Sequence, residues 1–482
     1  MSFKTIFSTL GRVLLLEAAL LLLPAVVALI YGEGCVYAFL ITSAIAAVIG
    51  GALSLALRRE RKTLNIRDGF AIVALSWLGM SIIGALPFVL SGEISSYVDA
   101  LFETVSGFTT TGASILGNVE GMSRGLLFWR SFTHWLGGMG ILVFVMAIME
   151  NAPDRSINIL RAEMPGHSVD KLTPKSRSTA KLLYYIYLAL TVLELVFLLL
   201  GGMPLFDSIV HALGTAGTGG FGIKSDSLAS YSPYIQWVIT VFMLLFGVSF
   251  NVYYLILLGR WKSALSSNEL RCYLGIFLVA CGIITANIYP LYQSFSETLR
   301  LSAFQVSSLL TTTGFATADF NKWPQLSKAI LLLLMFSGGC MGSTAGGFKV
   351  SRITALFQIA RNEIIRSVSP RTVSAVRLNG RALSEGEEKG ILSYLVLYIA
   401  VMGATFLLIS FEPLGFETNL TAAVSCVNNI GPGFGLIGPA DNYSMYSDFS
   451  KLILSLAMLM GRLEIYPLLS LLAPSARGLP RR

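Results

Sequence analysis

Long apolar runs separated by short polar segments organise the chain. They fall at about 10–31, 35–57, 69–90, 125–149, 180–202, 234–258, 271–294, 326–358, 390–411 and 451–473. A helix of about 20 apolar residues crosses the roughly 30 Å of a bilayer's hydrocarbon core. The pattern predicts ten membrane-spanning helices. One run does not read as continuous. The middle of 326–358 is SGGCMGSTAGG, Ser337 to Gly347, with five glycines in eleven residues. Each Gly in a helix interior costs about 1 kcal/mol relative to Ala, so a break is expected. Irregular backbone at that depth survives only where protein or water satisfies it.

Shorter semi-apolar stretches lie between spans. Four align without gaps: FETVSGFTTTGAS from Phe102, VHALGTAGTGGFG from Val210, FQVSSLLTTTGFA from Phe304 and TAAVSCVNNIGPG from Thr421. In each, ten residues lead to a glycine: Gly112, Gly220, Gly314 and Gly431. Such a repeat changes the reading of the whole fold. Residues 1–68 read as two extra transmembrane helices. Four span–pore helix–filter loop–span repeats follow, at 69–178, 179–269, 270–389 (with the broken helix) and 390–482. The expected fold is an all-α polytopic membrane protein with one pseudo-fourfold pore.

Composition narrows the class. Apolar residues make up 54% and charged residues 13% of 482, with a mean hydropathy of +0.70. Soluble domains carry about 25% charged residues, so a soluble enzyme, a disordered chain and a disulfide scaffold are excluded. The five cysteines lie in or beside apolar runs without paired spacing and read as buried thiols. The first run is too long for a cleaved signal. The net charge of +8 acquires a direction along the chain. Basic clusters at Arg58–Arg67, Arg155–Lys181, Arg260–Arg271 and Arg361–Lys389 follow alternate spans, marking one cytoplasmic side that also holds both termini. Acids such as Glu103, Glu412 and Asp441 fall on the other side, attracting cations or merely solvating loops. No nucleic-acid partner is implied.

Four equivalent loops around an axis can replace the water shell of a cation with backbone carbonyls. Gly supplies dihedrals that other residues resist, and flanking Thr adds stiff hydroxyl ligands. The C-terminal end of each preceding short helix favours a cation. The filter candidates are Thr110, Thr111, Gly112 and Ala113; Thr218, Gly219, Gly220 and Phe221; Thr312, Thr313, Gly314 and Phe315; and Asn429, Ile430, Gly431 and Pro432. The loops differ from one another, so fewer ion sites and weaker discrimination are expected than in a strict fourfold channel. Below them, Gly338, Gly339, Gly342, Gly346, Gly347 and Lys349 form either a plug or a close helix packing of small residues. Arg462 sits at a similar depth. It faces the permeation path as intramembrane charges usually do, or snorkels to the inner surface. His134 has no GxSxG motif and no acidic partner, and reads as a packing or pore-lining group rather than a catalyst.

These features resemble the Trk/Ktr/HKT superfamily of potassium transporters over nearly the whole chain. The resemblance rests on TTTGAS at Thr109, RAEMPG at Arg161, GGCMGSTAGGFKVSRI at Gly338, NNIGPGFG at Asn428 and GRLE at Gly461. The two extra N-terminal helices point to its TrkH-type members. The resemblance implies K⁺ uptake at a bacterial cytoplasmic membrane by a homodimer with one pore per protomer. It makes the four loop glycines filter positions, the broken segment the gate and Arg462 the barrier. Four glycines favour potassium; in plant relatives a Ser at the first position accompanies sodium preference. It also implies a cytosolic TrkA-type ring that binds NAD and adenine nucleotides, with no organic cofactor in this chain. The Gly-rich second loop, GTGGFG, departs from the pattern. Passive flow is the favoured mechanism. An H⁺- or Na⁺-coupled symporter and, further off, an organic-solute carrier are the alternatives.

Overall fold

The computed structural model describes residues 3–56, 66–140, 176–369 and 375–472. The RAEMPG stretch and the basic segments 58–65 and 155–175 lie outside the described residues.

Two helices, α1 (Phe3–Leu20) and α2 (Leu22–Ile30), form one span that pairs with α3 (Val36–Ala56). The crossing of α1 and α3 is tight because both sides are glycine. A methyl on Gly11 would lie 2.7 Å from the Gly50 carbonyl oxygen, and one on Gly50 equally close to that of Gly11. Small residues let membrane helices approach this way. Glu33, in the turn after α2, reaches the next unit and accepts the Arg124 and Gly125 amides at 2.7 and 2.9 Å. That carboxylate sits on the electropositive start of a helix.

The rest of the chain repeats one plan. In the first repeat α4 (Ile66–Gly84), continued by α5 (Leu86–Leu90), leads to the short α6 (Tyr97–Phe108) and then α7 (Arg124–Gly138). The second runs through α8 (Ser176–Leu200), α9 (Leu205–Gly217), α10 (Pro233–Phe246) and α11 (Phe250–Leu257). After α12 (Trp261–Leu265), the third has α13 (Asn268–Tyr292), α14 (Phe295–Leu310), α15 (Gln325–Ser337) and α16 (Val350–Val368). The fourth has α17 (Glu385–Ile409), α18 (Phe416–Asn428), α19 (Asp448–Arg462) and α20 (Tyr466–Leu472). Serine caps begin many of these helices. Ser96, Ser232, Ser267, Ser384 and Ser447 each accept the amide three residues on, satisfying a donor the helix leaves open.

The short helices α6, α9, α14 and α18 have 12, 13, 16 and 13 residues. At about 1.5 Å per residue they span roughly 18–24 Å, too little to cross. Their sides are almost wholly buried. The long helices α8, α13 and α17, by contrast, expose broad apolar faces, including Leu200, Leu278 and Val396. That is the surface a lipid chain covers.

Ten spans were expected, with a break in the run 326–358 alone. Six helices among the described residues are long and apolar enough to cross, or seven counting one bent pair. Among the described residues the second span of the second, third and fourth repeats is broken, not that of the third alone. That of the first is described only to Gly140, with α7 ending at Gly138. The run 234–258 bends by 88° between α10 and α11. The run 326–358 opens between Ser337 and Val350. The run 451–473 breaks at Leu463–Ile465, where Glu464 and Ile465 take φ of 53° and 66°. Apolar pattern marks depth, not continuity, and each break is stabilised by partners from another repeat. The described β structure is a two-residue hairpin, Arg377–Leu378 against Arg381–Ala382. Its turn residues Asn379 and Gly380 have φ of 48° and 81°, the tight turn that Asn-Gly favours.

Candidate ion pathway

Each short helix ends in the same way. Thr110, Thr218, Thr312 and Asn429 all adopt the left-handed conformation, at φ 56°, 55°, 55° and 56°. The next amide reaches five residues back: Thr111 to Ser106, Gly219 to Gly214, Thr313 to Ser308 and Ile430 to Ser425, at 2.8–3.0 Å. This is a helix terminus that usually has Gly at the left-handed position. Here Thr or Asn holds it, a cost of about 1–2 kcal/mol per residue. The strain recurs at four equivalent points.

Two residues on, Gly112, Gly220, Gly314 and Gly431 have φ of 77°, 78°, 85° and 99°. They also leave no space. A methyl on Gly112 would lie 2.0 Å from the carbonyl oxygen of Gly219. On Gly220 it would meet that of Thr313 at 2.0 Å, on Gly314 that of Ile430 at 2.0 Å, and on Gly431 that of Thr111 at 2.7 Å. The contacted residue is in every case the one before the glycine of the next loop. The four loops therefore close a ring in the order one, two, three, four, one. Thr110, Thr111, Ala113, Thr218, Phe221, Thr312, Thr313, Phe315, Asn429 and Ile430 are all buried around it. A cavity of ≈ 110 Å³ above is lined by all four ring glycines, Pro432 and Asp441.

Much of the bracing behind the ring escapes a reading of the sequence. Glu103, expected at the outer surface, forms a buried ion pair with Arg130 at 2.7 Å. The Glu103 carboxylate also accepts the Ser114 hydroxyl and the Ile115 amide, both at 2.9 Å. Arg130 donates to the Gly222 carbonyl at 3.3 Å, so the pair ties the first loop to the second. The Gly431 carbonyl accepts from both Ser425 and Tyr443, at 2.8 and 2.7 Å. The Asn429 amide donates to Thr111 at 3.0 Å and to the Met458 carbonyl at 2.9 Å. His134 is no catalyst-like exposed group. It is fully buried between the first short helix and the second loop. Only the recurrence of Glu, Ser and His near the glycine-rich stretches could have hinted at these partners.

Under the ring lies the non-helical segment 338–349. Its amides and carbonyls are taken up by all sides of the bundle. Cys340 N–H donates to Gly247 and Phe250 N–H to Gly342, at 2.9 and 3.0 Å. Met341 N–H donates to Glu269 at 2.6 Å. Gly346 N–H reaches the hydroxyl of Thr312 at 2.6 Å, and Gly347 N–H the carbonyl of Asn428 at 3.1 Å. The segment thus touches the ring's own residues. Gly338 and Gly339 pack it on itself, with methyls there meeting Gly346 and Ala345 at 2.4 and 2.7 Å. Lys349 folds back to the Ala345 carbonyl.

While Glu464 binds Arg352, Arg462 contacts the broken segment. Its guanidinium donates to the Thr344 carbonyl at 2.9 Å and to those of Gly137 and Gly138 at 2.5 Å. It clamps the segment to the C-terminal end of α7, where a cation is favoured. A second cavity of ≈ 60 Å³ lies here, lined by Gly140, Gly342, Gly346, Lys349, Arg462 and Glu464.

Comparison with known proteins gives consistent likenesses. The family model described as "TrkH: Cation transport protein" matches residues 36–278 and 292–478. A Trk system potassium uptake protein TrkH from Salmonella typhimurium is 37% identical, covering 98% of this chain and 99% of its own length. Its counterpart from Escherichia coli K12 is 36% identical over the same shares. The crystal structure of the potassium transporter TrkH from Vibrio parahaemolyticus superposes with a TM-score of 0.90 at 33% identity, covering 98% of this chain and 99% of that one.

Proposed function

We propose a route for potassium on one premise: the chain belongs to the TrkH family of cation transport proteins. It is a multi-pass membrane transporter, not an enzyme, and its function is potassium uptake. The ion crosses the ring of Gly112, Gly220, Gly314 and Gly431. What supports this is the closed order of loop contacts, in which each glycine makes room for the carbonyl preceding the next. Carbonyls at such a constriction stand in for the ion's hydration shell. The C-terminal ends of α6, α9, α14 and α18 add negative potential there. The residues flanking each glycine, Thr110 to Ala113 and their counterparts, are the binding set. With Gly431's carbonyl already taken by two donors, fewer full sites form than in a strict fourfold filter.

Segment 338–349 is the gate and Arg462 its latch and electrostatic barrier. Opening requires the Arg462, Glu269 and Thr312 contacts to part. Flow is passive. Glu17 and Glu194 are buried in spans without lining either cavity, and Glu103, behind the ring, is held in an ion pair with Arg130, which argues against a proton relay. The protein works as a homodimer in the bacterial inner membrane with both termini inside. Its basic inner surface docks a TrkA-type ring, and nucleotide acts there.

Radioactive Rb⁺ flux into liposomes containing the purified chain tests this, with potassium-limited growth of an uptake-deficient strain alongside. Flux that Gly112→Ser shifts toward Na⁺ is expected. Flux driven by a pH gradient at zero potassium gradient would favour the symporter. Absence of flux, with or without the partner ring, sinks the proposal.

A further inference from the structure

The first and third loops read TTTG, the second GTGG. In the first, the Thr109 and Thr111 hydroxyls bond each other at 2.8 Å. In the third, Thr311 and Thr313 do the same at 2.7 Å. Those pairs pin the residue before the ring glycine to the end of its own helix. The second loop has Gly217 and Gly219 in the matching places, so it has no such pair. Its space is not empty. A methyl on Gly219 would lie 2.2, 2.3 and 2.5 Å from the Cγ, Nδ1 and Cδ2 atoms of His134. The imidazole, carried in by α7 of the preceding repeat, occupies the place of the missing side chain.

It also supplies hydrogen bonds. Nδ1 lies 2.8 Å from the Gly107 carbonyl in α6. Nε2 accepts the amide of Phe221, the residue after the ring glycine, at 3.3 Å. Nδ1 must therefore hold the proton and Nε2 the lone pair, which makes the ring neutral. The Phe221 ring packs on it, tilted by 35° with 4.2 Å between centroids, and has the Arg130 guanidinium 4.0 Å from its own centroid. One side chain fills the gap beside Gly219, fixes the strand beyond Gly220 and joins it to the first repeat's helix.

We propose that His134 is a positioning residue for the filter. It replaces the threonine pair of the second loop, and ion discrimination depends on it. This rests on the ring being the selectivity filter.

The test is Rb⁺ flux and the Rb⁺/Na⁺ ratio for the full chain in liposomes, with folding followed by size exclusion. His134→Ala lowers the ratio about tenfold, the loss of one or two buried hydrogen bonds. His134→Gln, which keeps a donor and an acceptor, retains most of it. Gly219→Ala alone abolishes uptake. The pair Gly219→Ala with His134→Ala recovers folded protein and uptake, because the three atoms nearest that methyl all belong to the imidazole. Gly217→Ala is not recovered in the same way, because its methyl would meet the His134 backbone oxygen at 2.3 Å. An unchanged ratio in His134→Ala, or a double variant no better than Gly219→Ala, overturns the proposal. Gly220→Ser separates the two levels. If it shifts the ratio and His134→Ala does not, only the role of His134 falls; if neither does, the filter reading falls with it.

Discussion

At the scale of single residues, the four ring positions share a backbone but not a set of contacts. The Thr312 hydroxyl accepts the Gly346 amide of the segment below. The Thr218 hydroxyl turns to its own Gly217 carbonyl at 2.6 Å. The proposed gate and filter are therefore joined through the third loop. Thr312→Val removes the acceptor and leaves the Gly346 amide unsatisfied, an effect worth about a tenfold change in an equilibrium. Basal Rb⁺ flux without the partner ring is expected to rise by about that factor over Thr218→Val. Equal flux from the two variants would show that the segment is not held through this hydroxyl. Arg462→Ala frees three carbonyls at once and is expected to raise basal flux further. Arg462→Lys restores only part of the closure, since the three donors of an ammonium sit on one compact nitrogen and lack the planar spread of the guanidinium's two.

At the scale of elements, the short helices are held in place by polar contacts that few membrane helices have. The Glu103–Arg130 pair joins α6, α7 and the strand beyond Gly220. Removing one member leaves an uncompensated buried charge, at about 3–5 kcal/mol. Arg130→Gln is therefore expected to lower the melting temperature in detergent more than Glu103→Gln combined with Arg130→Gln. A double variant less stable than the single would mean the charges act independently. Glycine contacts set the interrupted helices in the same way. A methyl on Gly346 would lie 2.4 Å from the Asn428 carbonyl, so Gly346→Ala pushes the segment off the ring. Raised leak, seen as Rb⁺ flux without the partner ring, is the expected reading.

At the scale of the molecule, the basic residues are those proposed to dock the TrkA-type ring. On the proposed inner side, Arg260, Lys262 and Arg271 lie at or just before the start of α13, and Arg361 and Arg366 in the last turns of α16. Contacts made by exposed charges fade beyond a Debye length of about 8 Å at physiological salt. Co-purification of the regulatory ring is expected to weaken steadily as salt rises. Retention unaffected by salt would point to an apolar interface instead.

The chain's own pattern determined a good deal. Hydrophobic length alone sets which segments lie in the membrane, and a fixed spacing alone exposes the fourfold repeat. Glycine where positive φ is needed is a local requirement, so Gly112, Gly220, Gly314 and Gly431 and the interruption after Ser337 could be picked out before any coordinates. Tertiary structure decided the rest, because it depends on groups far apart in sequence. His134 meets Phe221 from 87 residues away, and Arg462 meets Gly137 from 325 away. No local pattern says that Glu103 turns inward to Arg130, or that α10 and α19 stop short. A helix breaks where a distant partner takes its freed carbonyls and amides. A charge is buried where a distant partner neutralises it.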